Sequence, residues 1–430
     1  MKFILPIILA IIGFFLVHIV LNVPQSFLVS MIILLVAYWT NEALPLGVVS
    51  LLPVVAFPLL GILDIKAVTA NYSNPIIFLF LGGFMLAVAV EKTNLHQLIA
   101  NKLISIFPNT TRGIIFALAI TSATLSSILS NTTTALLLMP IAMFLTTDFK
   151  LKTRFVLAIA YGASIGGIIT PIGTPPNLIL LGFLEENNLQ SLTFIDWMLK
   201  TIPLAIIMLI VVGYGLSIGI KEFKIELNQK DFSLDKNQRR LRNILIALMI
   251  VLFANSFIKI SDAIILLAFG LLMFMPKIGF LEWEDTKRIP YEIIFLFGAG
   301  FSIAKAFSAT NLAGVISQML LSVSDLAPFI LLLVVAFVIT ATTELTSNTA
   351  LISIALPIIY AMGQDTNLNI ELLLMLATIC ASYAFMLPIS TPPNAIAFSA
   401  GIKIKDMIKF GALFNLIAIF TTSVVAYFYW

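Results

Sequence analysis

The sequence predicts an all-α polytopic membrane protein of about eleven transmembrane helices plus two re-entrant hairpins, arranged as an inverted-topology repeat with broken helices. Three observations predict it. First, the 430 residues are 60% hydrophobic and only 10% charged, with a mean hydropathy of +1.09, whereas soluble domains carry about 25% charged residues. So few charges cannot cover a water-facing surface, and the lipid bilayer must be the solvent. Second, apolar segments near spanning length recur along the whole chain. Third, four separated blocks repeat at one offset. This composition excludes a cytosolic enzyme, a secreted protein and a nucleic-acid binder, so no nucleic acid is expected as a partner. The net charge of +3 is too small to argue for a polyanionic partner. A single cysteine, Cys380, excludes an internal disulfide. Two histidines, His18 and His96, argue against a histidine-built metal site.

In order, the expected spans are 3–20, 25–40, 45–61, 76–91, 153–184, 202–220, 243–258, 263–280, 291–306, 371–402 and 409–428. The first follows Met1-Lys2. Its apolar run is longer than a signal-peptide core and lacks a small-residue cleavage site, so it reads as a retained span. Two further stretches, 113–147 and 327–362, are apolar but interrupted in the middle. Each is long enough to enter the membrane and return. With eleven crossings, both hairpins returning to their side of entry and the N-terminus cytoplasmic, the C-terminus is external. All but four of the 24 basic residues then face the cytoplasm. The exceptions are Lys66, Lys200 and Lys259 outside and Lys305 within a span. Counting either hairpin as one full crossing would spoil this sorting. Segment 221–242, the only long polar stretch, reads as a solvated cytoplasmic linker between two halves. Residues 95–107 have apolar positions at helical spacing and read as an amphipathic helix at the interface, with His96 an interfacial residue.

The repeat is specific. Residues 76–95 and 293–312 are identical at 12 of 20 positions, an offset of 217. The same offset carries Ser130-Asn131-Thr132 onto Ser347-Asn348-Thr349 and Pro140 onto Pro357. It also carries Pro171-Ile172-Gly173-Thr174-Pro175-Pro176-Asn177 onto Pro388-Ile389-Ser390-Thr391-Pro392-Pro393-Asn394. Five crossings separate the starts of the two copies, so the second copy is inverted. Inverted repeats with interrupted elements belong to secondary transporters, whose substrate site lies near the midplane where the repeats meet.

Hydroxyls and amides at mid-membrane need partners, because lipid supplies none. Ser, Thr and Asn are also good N-caps. Ser130-Asn131-Thr132 can therefore end one half-helix and begin the next. The N-terminus formed there favours an anion, and the carbonyls of the half-helix ending there favour a hard cation such as sodium. The consecutive prolines Pro175-Pro176 and Pro392-Pro393 break the spans 153–184 and 371–402 near their middles. Ser/Thr-rich segments often bond back to helix carbonyls, and a single proline is usually a tolerated kink. Duplication of both motifs in interrupted elements favours a site. The motif side chains are neutral, so bound cations would supply charge that the protein lacks. Of the carboxylates, Glu344 has Ser127 as its repeat partner. It reads as structural, bonded to nearby hydroxyls, ahead of a role in ion coupling. Glu42 reads as structural at a span end. Lys305 reads as snorkelling or paired, and Cys380 as packed.

These motifs resemble those of the divalent anion:sodium symporters, which carry dicarboxylates. The resemblance rests on the paired Ser-Asn-Thr motifs, on Gly173-Thr174-Pro175-Pro176-Asn177 and on MLPISTPPNAIAF at 386–398. Asn41-Glu42-Ala43-Leu44-Pro45 and IIFLFLGGFMLA at 76–87 add to it. It covers essentially the whole chain. It implies eleven spans, two hairpins, a homodimer and an elevator movement of a transport domain against a scaffold. It divides the chain into scaffold spans 1–91, an interfacial linker 92–112 and the first hairpin with spans five and six at 113–220. A linker at 221–242, scaffold spans at 243–306, a second interfacial linker at 307–326 and the second hairpin with the last two spans at 327–430 follow. It implies a first sodium site at Ser126, Ser130, Asn131 and Gly173, and a second at Thr343, Thr346, Asn348 and Ser390. Substrate carboxylates would meet Ser130, Asn131, Thr132, Thr174, Ser347, Asn348, Thr349 and Thr391. Ser390 departs from Gly173 of the first repeat, which a backbone-carbonyl ligand would tolerate. No cofactor is expected, and sodium is the coupling ion.

The expected function is sodium-coupled symport of C4-dicarboxylates such as succinate, malate or fumarate at the cell membrane. A sodium-independent exchanger, a carrier of citrate or sulfate, and an anion channel compete with it. An intramembrane enzyme is disfavoured, since His18 lies outside the repeated constellation.

Overall fold

The computed structural model describes residues 2–430 except 42, 191, 223, 225–232, 259, 325, 365 and 367. The side chains at 256, 317 and 320–324 are also outside the description. Glu42 and part of the 221–242 linker thus lie outside the described residues. The protein is 77% helical. Among the described residues no strand forms, and one isolated bridge pairs Thr110 with Lys224.

The sequence repeat is a structural repeat with the same offset. Helices Pro75–Lys92, Leu95–Ile106, Thr111–Ser126, Asn131–Phe144 and Pro175–Glu186 recur as Tyr291–Ala309, Leu312–Ser324, Pro328–Thr343, Asn348–Gly363 and Pro392–Ser399. All but the first of these pairs start 217 residues apart. The turns repeat as well. Asn94 and Asn311 are both left-handed at φ 55°, a conformation that asparagine tolerates better than most residues. Each turns the chain from a long helix into an amphipathic one.

The two interrupted stretches are helix–turn–helix units, Thr111–Ser126 with Asn131–Phe144 and Pro328–Thr343 with Asn348–Gly363. The expected spans 153–184 and 371–402 are both broken. The first gives Phe149–Gly167 and Pro175–Glu186, the second Ile370–Ala381 and Pro392–Ser399. The paired prolines occupy the first helical positions after each break. There the missing N–H has no intrahelical partner to lose. Close packing fixes the first unit. Gly162 and Gly166 lie where a Cβ would run into the Ala119 and Ala123 carbonyls, so Phe149–Gly167 and Thr111–Ser126 touch backbone to backbone.

Among the described residues, five helices are long and apolar enough to cross a membrane: Val23–Asn41, Ile65–Lys92 (Ile65–Asn71 running on into Pro75–Lys92), Phe194–Ser217, Tyr291–Ala309 and Ile404–Tyr429. Of the other expected spans, 243–258 lies within the 23-residue helix Lys236–Ile258, and the rest are realised by shorter or interrupted helices. For 263–280, helix covers only Asp262–Leu272, about 16 Å of rise. The chain then curls back, with Phe280 and Leu281 both donating their N–H to the Met273 carbonyl. The 221–242 linker is shorter than expected, because helix Lys236–Ile258 starts seven residues early. The linker is also tied down, since Thr111 Oγ1 donates to the Lys221 carbonyl at 3.0 Å. Lys92 closes on Asp285 at 2.6 Å, pinning the end of Pro75–Lys92 to the loop before Tyr291–Ala309.

Two apolar clusters result. The smaller joins Val23–Asn41, Leu46–Leu59 and Tyr291–Ala309 through Leu28, Tyr38, Val49, Phe57, Leu296 and Ile303. The larger surrounds Thr111–Ser126, Phe149–Gly167 and Ile370–Ala381. His96 is buried, its Nδ1 2.9 Å from the Val90 carbonyl. Cys380 is fully buried beside Thr340 and Thr422.

Candidate functional site

The first hairpin turn is an N-cap. Ser130 has extended backbone (φ −64°, ψ 148°), and its Oγ accepts the Thr133 N–H at 3.1 Å. Asn131 opens the next helix, and Ser126 Oγ donates to Asn131 Oδ1 at 2.5 Å. Gly167 makes room for this pair, since a Cβ there would lie 2.8 Å from Asn131 Oδ1. The second turn has the same backbone but different side-chain bonds. Ser347 is extended (φ −63°, ψ 130°) without a side-chain cap bond. Thr349 Oγ1 donates to Asn348 Oδ1 at 3.1 Å. Thr346 Oγ1 donates to the Thr342 carbonyl and Thr343 Oγ1 to the Ala381 carbonyl.

The two breaks are built alike. Thr174 (φ −149°, ψ 145°) and Thr391 (φ −143°, ψ 147°) are extended, each immediately before its proline pair. Asn177 donates Nδ2 to the Gly167 and Thr170 carbonyls, both at 2.9 Å. Asn394 donates Nδ2 to the Ala384 and Leu387 carbonyls at 2.9 and 3.2 Å. Both asparagines are fully buried, and both Oδ1 atoms lack a partner. Ser390 breaks the symmetry. Its Oγ donates to the Leu387 carbonyl at 2.6 Å and lies 3.2 Å from Asn394 Nδ2, a position where Gly173 offers no side chain.

Turns and breaks meet in one cavity of about 820 Å³. Ser130, Asn131, Thr132, Gly173, Thr174, Ser347, Asn348, Thr349, Ser390 and Thr391 all line it. Ser126, Thr343 and Thr346 do not; Ser126 bonds to the lining residue Asn131, and Thr343 and Thr346 bond to the Ala381 and Thr342 carbonyls. Four helix N-termini, at Asn131, Asn348, Pro175 and Pro392, therefore open onto one space. Each carries about half a positive charge, so together they present up to about two charges, the size of a dianion. Among the described residues, no Lys, Arg or His lines the cavity. The remaining wall is mostly apolar and includes Tyr38, Trp39, Leu44, Phe80, Phe84 and Glu292.

Sequence reasoning missed two features of this site. Glu292, a carboxylate in the first turn of Tyr291–Ala309, lines the cavity that is otherwise suited to anions. Asn177 and Asn394 are part of the motifs but were not assigned a place among the site residues. Their repetition at the 217 offset was the available signal. Glu344 has partners other than the hydroxyls expected. It is 2% exposed and accepts the Met386 N–H at 2.9 Å, the Leu387 N–H at 2.9 Å and Asn415 Nδ2 at 2.6 Å. The donors it satisfies are amide N–H groups, two of them from the backbone, because the broken span leaves those N–H groups without helical carbonyls there. In the first repeat a hydroxyl does the tying, with Thr170 Oγ1 donating to the Ser127 carbonyl at 2.5 Å.

Comparison with known proteins agrees with this architecture. The family described as citrate transporter (CitMHS) matches residues 31–378. A sodium-dependent dicarboxylate transporter SdcS of Staphylococcus saprophyticus is 32% identical, over 94% of this chain and 85% of its own length. That of Staphylococcus aureus is 31% identical over 91% and 83%. Two solved structures share the fold. Neisseria gonorrhoeae MtrF, titled as illuminating a class of antimetabolite efflux pumps, has a TM-score of 0.62 at 12% identity, over 97% of both chains. The Alcanivorax borkumensis YdaH transporter has a TM-score of 0.60 at 13% identity, over 95% of this chain and 99% of its own. The chain is thus a multi-pass membrane transporter, not an enzyme, and it belongs to the citrate transporter family, within the divalent anion:sodium symporters that its motifs resemble.

Proposed function

We propose that the protein is a sodium-coupled symporter of C4-dicarboxylates such as succinate, malate and fumarate, acting at the cell membrane as a homodimer. The observation that carries this reading is the cavity itself: both Ser-Asn-Thr turns and both Thr-Pro-Pro breaks line it, and among the described residues no basic side chain does. The substrate carboxylates would meet the hydroxyls and amides of Ser130, Asn131, Thr132, Thr174, Ser347, Asn348, Thr349 and Thr391, together with the helix N-termini. The first sodium would be held by oxygens of Ser126, Ser130, Asn131 and Gly173. The second would be held by those of Thr343, Thr346, Asn348 and Ser390. The names of the staphylococcal relatives support both ligands. Desolvating two carboxylates is costly, and half-charges from helix ends are spread over several ångströms. Two sodium ions beside the turns would supply the balance.

The eleven crossings, the re-entrant path of both hairpins, a cytoplasmic N-terminus and an external C-terminus belong to the same proposal. So does the elevator movement, in which the hairpins, broken helices and Phe194–Ser217 and Ile404–Tyr429 travel against 1–91 and 243–306. The smaller apolar cluster supports that division, because it lies almost wholly within the proposed scaffold, whereas the larger joins scaffold residues such as Phe80 and Leu266 to the hairpins.

A second substrate reading rests on the family description, citrate transporter; a cavity of about 820 Å³ accommodates a tricarboxylate as well. The test is uptake of labelled succinate and of labelled citrate into proteoliposomes, under an inward sodium gradient and with choline in its place. Sodium-driven succinate uptake supports the proposal. Succinate–succinate counterflow in sodium-free vesicles, without net uptake, would replace it by exchange. Preferential citrate uptake would change the substrate.

A further inference from the structure

A second cavity, remote from the motifs, is an apolar groove of about 700 Å³ between the amphipathic helix Leu95–Ile106 and helix Lys236–Ile258. One wall is the face Leu95, Leu98, Ile99 and Lys102, at the i, i+3, i+4, i+7 spacing of a single helix face. The other is a stripe that begins at Arg242 and runs through Leu245, Met249 and Phe253. Apart from Lys102 and Arg242, every residue lining the groove is apolar, and none is acidic. Neither cation has an ion-pair partner among the described residues. The Arg242 guanidinium bonds only to the neighbouring Asn243 Oδ1.

We propose that this groove binds one anionic phospholipid, its phosphate between Lys102 and Arg242 and an acyl chain along the stripe to Phe253. The dimensions fit. Eleven residues from Arg242 to Phe253 rise about 16 Å along the helix, about half the ~30 Å hydrocarbon thickness and so the depth of one leaflet. The charges fit too. Two cations without an ion-pair partner among the described residues, one on each wall of an apolar groove that holds no acidic residue, match a monoanionic headgroup attached to a chain, and match neither a zwitterionic headgroup nor a neutral peptide as well. Both cations stand on segments assigned to the cytoplasmic side, the leaflet in which anionic lipids and juxtamembrane basic residues meet.

The test is native mass spectrometry of the delipidated full-length protein, titrated with dioleoyl phosphatidylglycerol or dioleoyl phosphatidylcholine. The wild type should bind one phosphatidylglycerol at least ten-fold more tightly than phosphatidylcholine, a comparison that needs no variant. Lys102→Ala and Arg242→Ala should each weaken that binding about five-fold, and the double variant about 25-fold; Arg242→Lys should retain it. Ile246→Trp, which fills the groove wall, should weaken both lipids alike. Equal affinity for the two lipids, or an unchanged phosphatidylglycerol adduct in the double variant, overturns the proposal. Displacement of the lipid by inorganic phosphate alone also overturns it, making the groove an ion site. If Ile246→Trp alters the oligomer while lipid adducts persist, a second copy of the chain occupies the groove instead.

Discussion

Asn177 and Asn394 stand 217 residues apart, and each amide nitrogen bridges two carbonyls of its own helix break, ten and seven residues earlier. The orientation is forced, since only the NH₂ end of an amide can serve two carbonyls. Each Oδ1 is left buried, without a donor among the described residues. The pair acts as a clasp on the loops that carry Thr174 and Thr391 into the cavity.

Truncating the clasp removes two buried hydrogen bonds at about 1 kcal/mol each. Asn177→Ala and Asn394→Ala should each lower stability by about 2 kcal/mol. Aspartate should be worse than alanine, because it sets a carboxylate against two carbonyls. Thermal melting of the purified variants decides it. An aspartate variant as stable as the wild type would show that the nitrogen is not what matters.

Glu344 ties the second break to the second hairpin through the Met386 and Leu387 N–H groups. Glutamine keeps the shape but aims an NH₂ at one of these donors. Glu344→Gln should therefore cost about 1–3 kcal/mol, with uptake falling in step with folded protein. All three bonds tether the break to the hairpin, so the pH profile of uptake should be the same in wild type and variant. A well-folded Glu344→Gln protein whose uptake loses its pH dependence would assign Glu344 to proton coupling.

Among the described residues Glu292 is the one charged side chain on the cavity wall, and its charge opposes a dianion. Its side chain is well exposed, so solvent screens the repulsion. Glu292→Gln should lower the succinate KM about two- to five-fold, corresponding to less than about 1 kcal/mol, with kcat little changed. A raised KM would mean that Glu292 serves the substrate or a cation directly.

How much of this was legible in the letters follows from what carries each feature. The repeat was legible because identical residues recur at one spacing, and the helices start where that spacing puts them. The breaks were legible because proline acts locally on the backbone. Glu344's partners were not, since two are backbone N–H groups that have no letter, and the third, Asn415, is 71 residues away. Glu292 was hidden for the same reason. It reads as the polar first turn of a span, and only the meeting of that turn with Ser130 and Ser347 around one cavity gives it a role. The short helix Asp262–Leu272 was missed because an apolar run shows composition, whereas the curl at Lys277 (φ 69°) is conformational.

Asn131 and Asn348 each begin a helix at a turn that lines the cavity. One amide can offer oxygen to a cation and N–H to a carboxylate at once. Asn131→Ala and Asn348→Ala should each abolish transport without unfolding the protein, expression staying normal and the melting temperature falling only modestly as neighbouring polar groups lose about 1–3 kcal/mol of pairing. Wild-type uptake in either variant would reduce the turns to structural elements.

Ser126 and Thr343 test coupling most directly, because they are repeat partners that lie outside the cavity lining. Each donates its hydroxyl to an oxygen within its own repeat, Asn131 Oδ1 and the Ala381 carbonyl respectively. If they help to hold the cations, their loss should be felt through sodium. Ser126→Ala and Thr343→Ala should raise the sodium concentration for half-maximal succinate uptake several-fold, while the ranking of succinate, malate and fumarate stays the same. Linkage then requires that substrate tighten sodium binding by the factor by which sodium tightens substrate binding. With more than two sodium ions per dianion, uptake should also carry positive charge inward, and a negative interior should accelerate it. Proteoliposomes with an imposed potential and choline replacing external sodium separate these statements. A variant with altered substrate ranking and unaltered sodium dependence would place Ser126 or Thr343 in substrate selection, and undiminished net uptake in choline would remove the symport reading altogether.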